Sequence, residues 1–196
     1  KQADVQLQLG LTLGLLRDDA AEKAMVAIAS TAGTNAYVRD GIVSGLVTRE
    51  NKFIGLLLAQ PAWKDKSADR EGYLKALAKC VFTHGKNDPV STLLDTVAST
   101  KATWQQQALL DGMIASFPPA PKGKTNSVPL KKVKMTSEPA AFKALLASNQ
   151  KAIQERASKL DNYIVWPGKP GVPPEPPVKE LTTAEKARFE AAARAT

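Results

Sequence analysis

The chain has few of the residues from which most reactive sites are built. Its 196 residues include one cysteine, Cys80, and one histidine, His84. A single cysteine excludes an internal disulfide framework and a multi-cysteine metal site, and a single histidine excludes a multi-histidine zinc centre. No glycine-rich phosphate loop, nucleophile elbow or metalloprotease motif is present. We therefore expect no catalytic, cofactor-binding or metal-binding residue here, and no enzyme activity in this segment by itself.

Long apolar runs are also missing. None approaches the roughly 18–20 residues that a membrane-spanning helix needs, so we expect no membrane span. Hydrophobic residues make up 43% of the chain and charged residues 23%, which is typical of a folded protein rather than a disordered one. The chain has no initiator methionine, and both ends look cut from something longer. Low cysteine usage fits the cytoplasm and the periplasm alike.

Three apolar segments resemble one another. They are residues 5–14 (VQLQLGLTLG), 37–46 (YVRDGIVSGL) and 104–113 (WQQQALLDGM). Val5, Leu9 and Leu13 share one face of a helix, and this arrangement recurs 33 positions later from Val38. Tyr37 recurs as Trp104 after 67 positions, close to twice that period. An aromatic-led helix predicted over 73–81 lies between these two copies.

A second helix is predicted after each of the first-type helices. The spans are 20–30, 52–60, 90–99 (with Asp88 as N-cap and Pro89 at the first helical position) and 140–147, and a fifth first-type helix follows over 150–165. Helix pairs that repeat every ~33–40 residues are the signature of an α-solenoid. The sequence therefore predicts an all-α, right-handed, HEAT-like solenoid of about four to five helix pairs over residues 1–165.

Small residues recur at matching positions inside the predicted helices. Because glycine costs ~1 kcal/mol relative to alanine in a helix interior, it is kept where two backbones approach closely. We expect this approach between the two helices of each pair. The positions are Gly10, Gly14, Gly41, Gly45, Ala108 and Gly112.

Two segments interrupt the repeats. Residues 118–134 separate the two helices of the fourth unit and contain five lysines and no acid, which makes them a candidate partner-binding loop: Lys122, Lys124, Lys131, Lys132 and Lys134. A solvated ordered loop is the simpler alternative. Residues 166–181 hold six of the 13 prolines and are predicted to be a linker, and a following helix is predicted to start within 182–196.

The remaining candidate sites have ordinary structural explanations. Cys80 and His84 lie four residues apart and could pair on one helix face, but core packing is the preferred role for Cys80. Tyr37, Tyr73 and Trp104 could stack bases, although a packing seam between repeats is preferred. Asp40 and Asp111, at nearly equivalent repeat positions, are unpersuasive as an acid–base pair.

The three repeat segments together resemble the HEAT-repeat part of exported, membrane-bound-dehydrogenase-type, haem-binding proteins of planctomycetes and related bacteria. The tail, with WPG at 166–168 and LTTAEKARFE at 181–190, is similar to the connector and first cytochrome helix of that family. The resemblance implies a periplasmic scaffold between a dehydrogenase-like β-propeller and a c-type cytochrome domain. Haem c would then belong to an adjoining domain, because none of the family's haem ligands or propeller catalytic residues has a counterpart here.

These observations lead to one expected function and one main alternative. We expect a non-catalytic scaffold whose partners are proteins, namely the adjoining domains or subunits of a larger redox complex. The formal net charge of +8 and the aromatic row keep open a basic HEAT-repeat protein that binds nucleic acid. An enzyme that uses Cys80 and His84 is a third reading.

Overall fold

The computed structural model describes residues 2–31, 35–117 and 132–171, and these residues fold mostly into α-helices. The all-α prediction is confirmed at that level. Over these residues the structure has nine α-helices, a 3₁₀ turn at Pro61–Trp63 and two short strands. The helices are α1 (Gln2–Leu15), α2 (Asp19–Thr31), α3 (Ala36–Gly45), α4 (Glu50–Leu58), α5 (Ala68–His84), α6 (Asn87–Ser99), α7 (Thr103–Ile114), α8 (Ala140–Leu146) and α9 (Lys151–Asp161), and the strands are β1 (Val133–Lys134) and β2 (Ile164–Val165).

Local sequence signals set several helix ends. The Asn35 side chain accepts hydrogen bonds from the backbone N–H groups of the first turn of α3, and Ser67 accepts one from Arg70 N–H in α5. Gly85 ends α5 in the left-handed conformation with φ of 63°. One predicted start is wrong: α6 begins at Asn87, so Asp88 lies inside the first turn and Lys86 takes the N-cap position.

The helices lie in two sets that alternate along the chain. The odd-numbered helices contact one another in chain order, from α1 through α3, α5 and α7 to α9. The even-numbered helices α2, α4, α6 and α8 do the same, and contacts such as α1 with α2 and α5 with α6 join the two sets. One hydrophobic cluster runs between them from Met25 of α2 to Leu160 of α9. Helices α2 to α9 therefore bury apolar side chains against their neighbours, whereas α1 adds only the partly buried Leu7 and Leu13.

The glycines permit close approach, but between different helices from those predicted. A Cβ atom placed on Gly14 of α1 would lie 2.6 Å from Gly45 Cα of α3, and one placed on Gly112 of α7 would lie 2.3 Å from the Lys75 carbonyl oxygen of α5. The approach thus joins successive odd-numbered helices, and the prediction that it joins the two helices of a pair is wrong. The small residues lie on the helix face that points to the next odd-numbered helix, so the close approach occurs there.

The buried face of α1 also differs from the prediction. Val5 and Leu9 are exposed, whereas Gly10 and Gly14 are buried and Leu7 packs towards Gly41 of α3. Leu13 is only partly buried. The helical periodicity predicts an apolar stripe on α1, but it does not show which face is buried. Contact with α3 buries the face that carries Gly10 and Gly14.

The fifth first-type helix, predicted over 150–165, is shorter than expected. α9 ends at Asp161, and Ile164 and Val165 form β2, which pairs in parallel with Val133 and Lys134 of β1. Isoleucine and valine favour extended backbone, and a partner strand lies beside them. This two-stranded ladder was not predicted from the sequence.

Candidate functional site

The predicted lysine-rich loop lies partly within the described residues. Lys132 and Lys134 are exposed, and Lys134 belongs to β1. Lys122, Lys124 and Lys131 lie outside the described residues. The structure describes the residues on both sides of segment 118–131.

Backbone hydrogen bonds hold the C-terminal flank. Val133 N–H donates to the Tyr163 carbonyl oxygen at 2.7 Å, and Met135 N–H donates to the Val165 carbonyl oxygen at 2.8 Å. Thr136 N–H donates to Asn87 Oδ1 at 3.0 Å. The side chains of Val133 and Met135 are buried. These bonds and side chains join the flank to β2 and to the start of α6.

The N-terminal flank ends beside the same residue. The Phe117 ring stacks on the Tyr163 ring with 3.6 Å between centroids and 13° between planes, and it meets the Phe82 ring edge-on. Phe117, Val133 and Tyr163 are called here the Tyr163 anchor. The described residues on the two sides of segment 118–131 therefore meet at Tyr163.

The first part of the predicted linker packs on the helices. The rings of Trp166 and Phe142 meet edge-on at 6.5 Å, and Lys169 Nζ lies 4.6 Å above the Trp166 ring. The Lys169 ammonium also donates to the Ile164 carbonyl oxygen at 2.6 Å and lies 2.8 Å from Asp161 Oδ1. Residues 166–171 thus continue the folded structure, while the rest of the predicted linker and the helix at 182–196 lie outside the described residues.

Cys80 and His84 do not present an activated pair. Burial raises the pKa of the half-buried Cys80 thiol, which favours the neutral thiol over the nucleophilic thiolate. His84 ends α5, as its position before Gly85 predicts, and its Nε2 lies 4.0 Å from Glu50 Oε1 of α4. The surroundings of Cys80 favour its packing role.

The three aromatic residues of the predicted row have different environments. Tyr37 is 77% exposed and Tyr73 is fully buried, with its ring edge-on to Trp63. Trp104 is half-buried and donates its indole N–H to the Lys64 carbonyl oxygen at 3.2 Å. These side chains do not offer consecutive exposed faces on which bases could stack.

Asp111 belongs to an ion-pair network that joins three odd-numbered helices. Its carboxylate accepts from Arg156 Nε of α9 at 2.7 Å and lies 3.6 Å from Lys75 Nζ of α5. Lys75 also pairs with Glu71 one turn earlier at 2.6 Å, and this hydrogen bond lowers the pKa of Glu71 and raises that of Lys75. Asp40 pairs instead with its neighbour Arg39 at 2.9 Å. The two aspartates therefore serve in separate ion pairs.

Sequence reasoning missed the role of Arg49. Its guanidinium donates to the carbonyl oxygens of Gly14 and Gly45, both at 2.8 Å, and so joins the C-terminal ends of α1 and α3. It also lies 3.5 Å from the buried carboxylate of Glu22, which Lys52 approaches to 2.7 Å. A lone arginine in a turn gives no periodic signal, so no pattern could have identified it.

A groove of about 500 Å³ lies between α2 and α4. Its lining is mainly apolar and includes Val26, Ala27 and Leu56, with Lys23 and Gln60 as polar members. Ser30 Oγ accepts a hydrogen bond from the buried Trp63 indole at 3.0 Å. This hydrogen bond joins the 3₁₀ turn to the α2 side of the groove. The residues that line the groove include no cluster of ionisable side chains that would indicate a reaction.

Metal sites and membrane-spanning helices are both absent from residues 2–31, 35–117 and 132–171. No group of three or more histidine, cysteine, aspartate or glutamate side chains there is arranged to hold a metal ion. None of the helices in those ranges combines the length and the apolar character of a membrane span. Comparison with family models, curated proteins and solved structures found no match to this chain.

Proposed function

We propose that the chain is a non-catalytic scaffold built as a right-handed, HEAT-like α-solenoid of four to five helix pairs. The observation that carries the proposal is the order of helix contacts, in which odd-numbered helices follow one another and even-numbered helices do likewise. The glycine approach of α1 to α3 and of α5 to α7 supports it, because the same kind of contact recurs along one set of helices. An array of this kind provides an extended surface for proteins.

The proposed setting is a periplasmic multidomain redox protein. In it the scaffold links a dehydrogenase-like propeller to a c-type cytochrome domain, which carries the haem. The support for this setting is the resemblance of the three repeat segments and of the tail to that family. The scaffold itself holds no cofactor in this proposal, and the raised pKa of Cys80 agrees with a thiol that packs rather than reacts.

The proposed partner-binding surface surrounds the Tyr163 anchor. The five lysines attached there would face an acidic surface of an adjoining domain or subunit: Lys122, Lys124, Lys131, Lys132 and Lys134. The rigid stack of Phe117 on Tyr163 would reduce the ordering cost of binding, because both flanks of the segment are already held.

The test of the setting uses the complete gene product, exported to the periplasm. Haem staining after limited proteolysis should find covalent haem in a fragment other than residues 1–171. A complete product without haem would contradict the redox setting, and substrate turnover by the 196-residue chain alone would contradict the non-catalytic role. Salt-sensitive binding of an oligonucleotide by this chain at ~50 mM salt would favour nucleic-acid binding instead.

The binding surface is tested by charge reversal in the same complete protein. The double variant Lys122→Glu/Lys124→Glu should reduce the cross-links that the remaining lysines Lys131, Lys132 and Lys134 form to the adjoining domains, because two attractive charges become repulsive. Lys143→Glu/Lys151→Glu, at exposed lysines on α8 and α9, provides the matched control. Equal loss in both variants would show that overall charge, rather than this surface, determines the contact.

A further inference from the structure

Exposed apolar side chains are concentrated at one end of the helical array. All the large hydrophobic side chains that are exposed in the described residues lie between positions 5 and 47, and five of the seven belong to α1 or follow it directly: Val5, Leu9, Leu11, Leu15 and Leu16. Single exposed apolar side chains are ordinary, but several on one helix indicate a contact surface. The opposite face of α1 is already packed on α3 through Gly10 and Gly14.

Four exposed positions, three on α1 and Leu16 directly after it, have the spacing of a helix-pairing seam. Val5, Leu9, Thr12 and Leu16 follow one another at intervals of four, three and four residues, and Val5 and Leu9 are 66% and 44% exposed. Residues at such intervals share one face of a helix and interdigitate with a second helix. The Thr12 hydroxyl donates to the Gln8 carbonyl oxygen at 2.9 Å, which satisfies its hydrogen-bonding group. The seam therefore offers mainly apolar contact.

Charge determines which partner suits this face. The chain has a formal net charge of +8, yet Asp4 is the only ionisable residue within α1. Two copies that met along α1 would therefore bring no lysine or arginine of that helix together. Two copies of this basic protein can therefore associate along the seam without strong electrostatic repulsion.

We propose that α1 pairs with α1 of a second copy of this chain, antiparallel, along the seam formed by Val5, Leu9, Thr12 and Leu16. Two-fold symmetry then places Leu9 of one copy against Thr12 of the other, and Val5 against Leu16. Antiparallel packing also opposes the two helix dipoles favourably. This pairing is independent of the scaffold proposal, because it follows from the exposed face of one helix.

The dimer should be weak. A helix of 14 residues is about 21 Å long, and one face of it is smaller than the ~800 Å² that each partner buries in a typical stable complex. We therefore expect dissociation in the high micromolar range. Sedimentation velocity of the full chain from low to high micromolar concentration should show a monomer–dimer equilibrium.

Complementary charges test both the seam and its direction. Leu9→Glu and Thr12→Lys, each alone, should weaken dimerisation at least about tenfold, because each places a charge in the apolar contact. Mixing the two variants should restore a heterodimer, since antiparallel pairing sets the new glutamate opposite the new lysine. Leu15→Glu is the matched control, because Leu15 is 82% exposed on the same helix but lies off the seam.

Each outcome decides the proposal. A wild-type chain that stays monomeric throughout overturns it, as does a dimer that persists in Leu9→Glu with an unchanged circular dichroism spectrum. Mixing that fails to restore association excludes the antiparallel seam. A monomer of the Thr12→Lys variant whose introduced amine cross-links to Lys179 or Lys186 would show that residues 172–196 of the same chain cover α1, which also overturns the proposal.

Discussion

Replacing Gly112 with alanine measures how tightly α5 and α7 approach. The added Cβ would lie 2.3 Å from the Lys75 carbonyl oxygen and 2.8 Å from Lys75 Cα, whereas ordinary contacts begin at 3.4 Å. Both atoms belong to backbone, so the two helices must move apart by about 1 Å. Overpacking of this kind costs ~1–3 kcal/mol, and the intrinsic helix preference of alanine recovers ~1 kcal/mol. We expect a net loss of about 1 kcal/mol, and at most about 2 kcal/mol, in the free energy of unfolding.

The same substitution at Gly55 is the control. Gly55 lies within α4, and a Cβ placed on it meets no atom within 4 Å. Gly55→Ala should therefore raise the free energy of unfolding by ~0.5–1 kcal/mol. Thermal unfolding followed by circular dichroism should place the Tm of Gly112→Ala ~2–4 °C below that of the wild type, and that of Gly55→Ala a few degrees above it. Shifts in the same direction for both variants would refute the close-approach explanation.

Three further outcomes are expected. Arg49→Met should lower the free energy of unfolding in urea by about 1.5–3 kcal/mol, because the carbonyl ends of α1 and α3 lose a shared charged donor; an unchanged urea midpoint would contradict this. The hydrogen bond from Lys75 lowers the pKa of Glu71 in the folded state below its ordinary value of 4.5. The ionised Glu71 side chain therefore adds to the free energy of unfolding above the unfolded-state pKa, and this contribution is lost as the pH falls through the folded-state pKa. Glu71→Gln should accordingly lose less stability than the wild type between about pH 5 and pH 3 in urea titrations, and an equal loss would refute the assignment. Iodoacetamide should alkylate Cys80 more slowly in the folded chain than in urea, because burial raises the thiol pKa and so lowers the thiolate fraction. Equal alkylation rates would show that burial does not protect the thiol.

The helices were predictable because their signals are local and repeated. The spans predicted at 20–30 and 104–113 agree with α2 and α7 within a few residues, and Gly85 marks the end of α5 as its position after His84 suggests. The strands were not predictable, because β1 and β2 consist of two residues each and exist only through their pairing across sequence. The exposed face of α1 was missed for a related reason, since an apolar stripe does not reveal which side a neighbour occupies.

The candidate surface was predictable in composition but not in attachment. The run of lysines is visible in the sequence, whereas the stacking of Phe117 on Tyr163 depends on the spatial meeting of segments 46 residues apart. The bridge from Arg49 to Gly14 and Gly45 is also a tertiary contact, and a single residue leaves no periodic trace. The sequence shows which charged side chains are present, whereas tertiary packing decides which of them lie close together.

The Tyr163 anchor has a consequence for changes in chain length. Phe117 and Val133 both meet Tyr163, so residues added or removed between them would not have to shift α7 or α8. Loop-closure entropy grows slowly with length, so such changes should cost little stability. This position is therefore a natural graft point, where a recognition peptide or a reporter domain could be inserted while the helical array keeps its geometry.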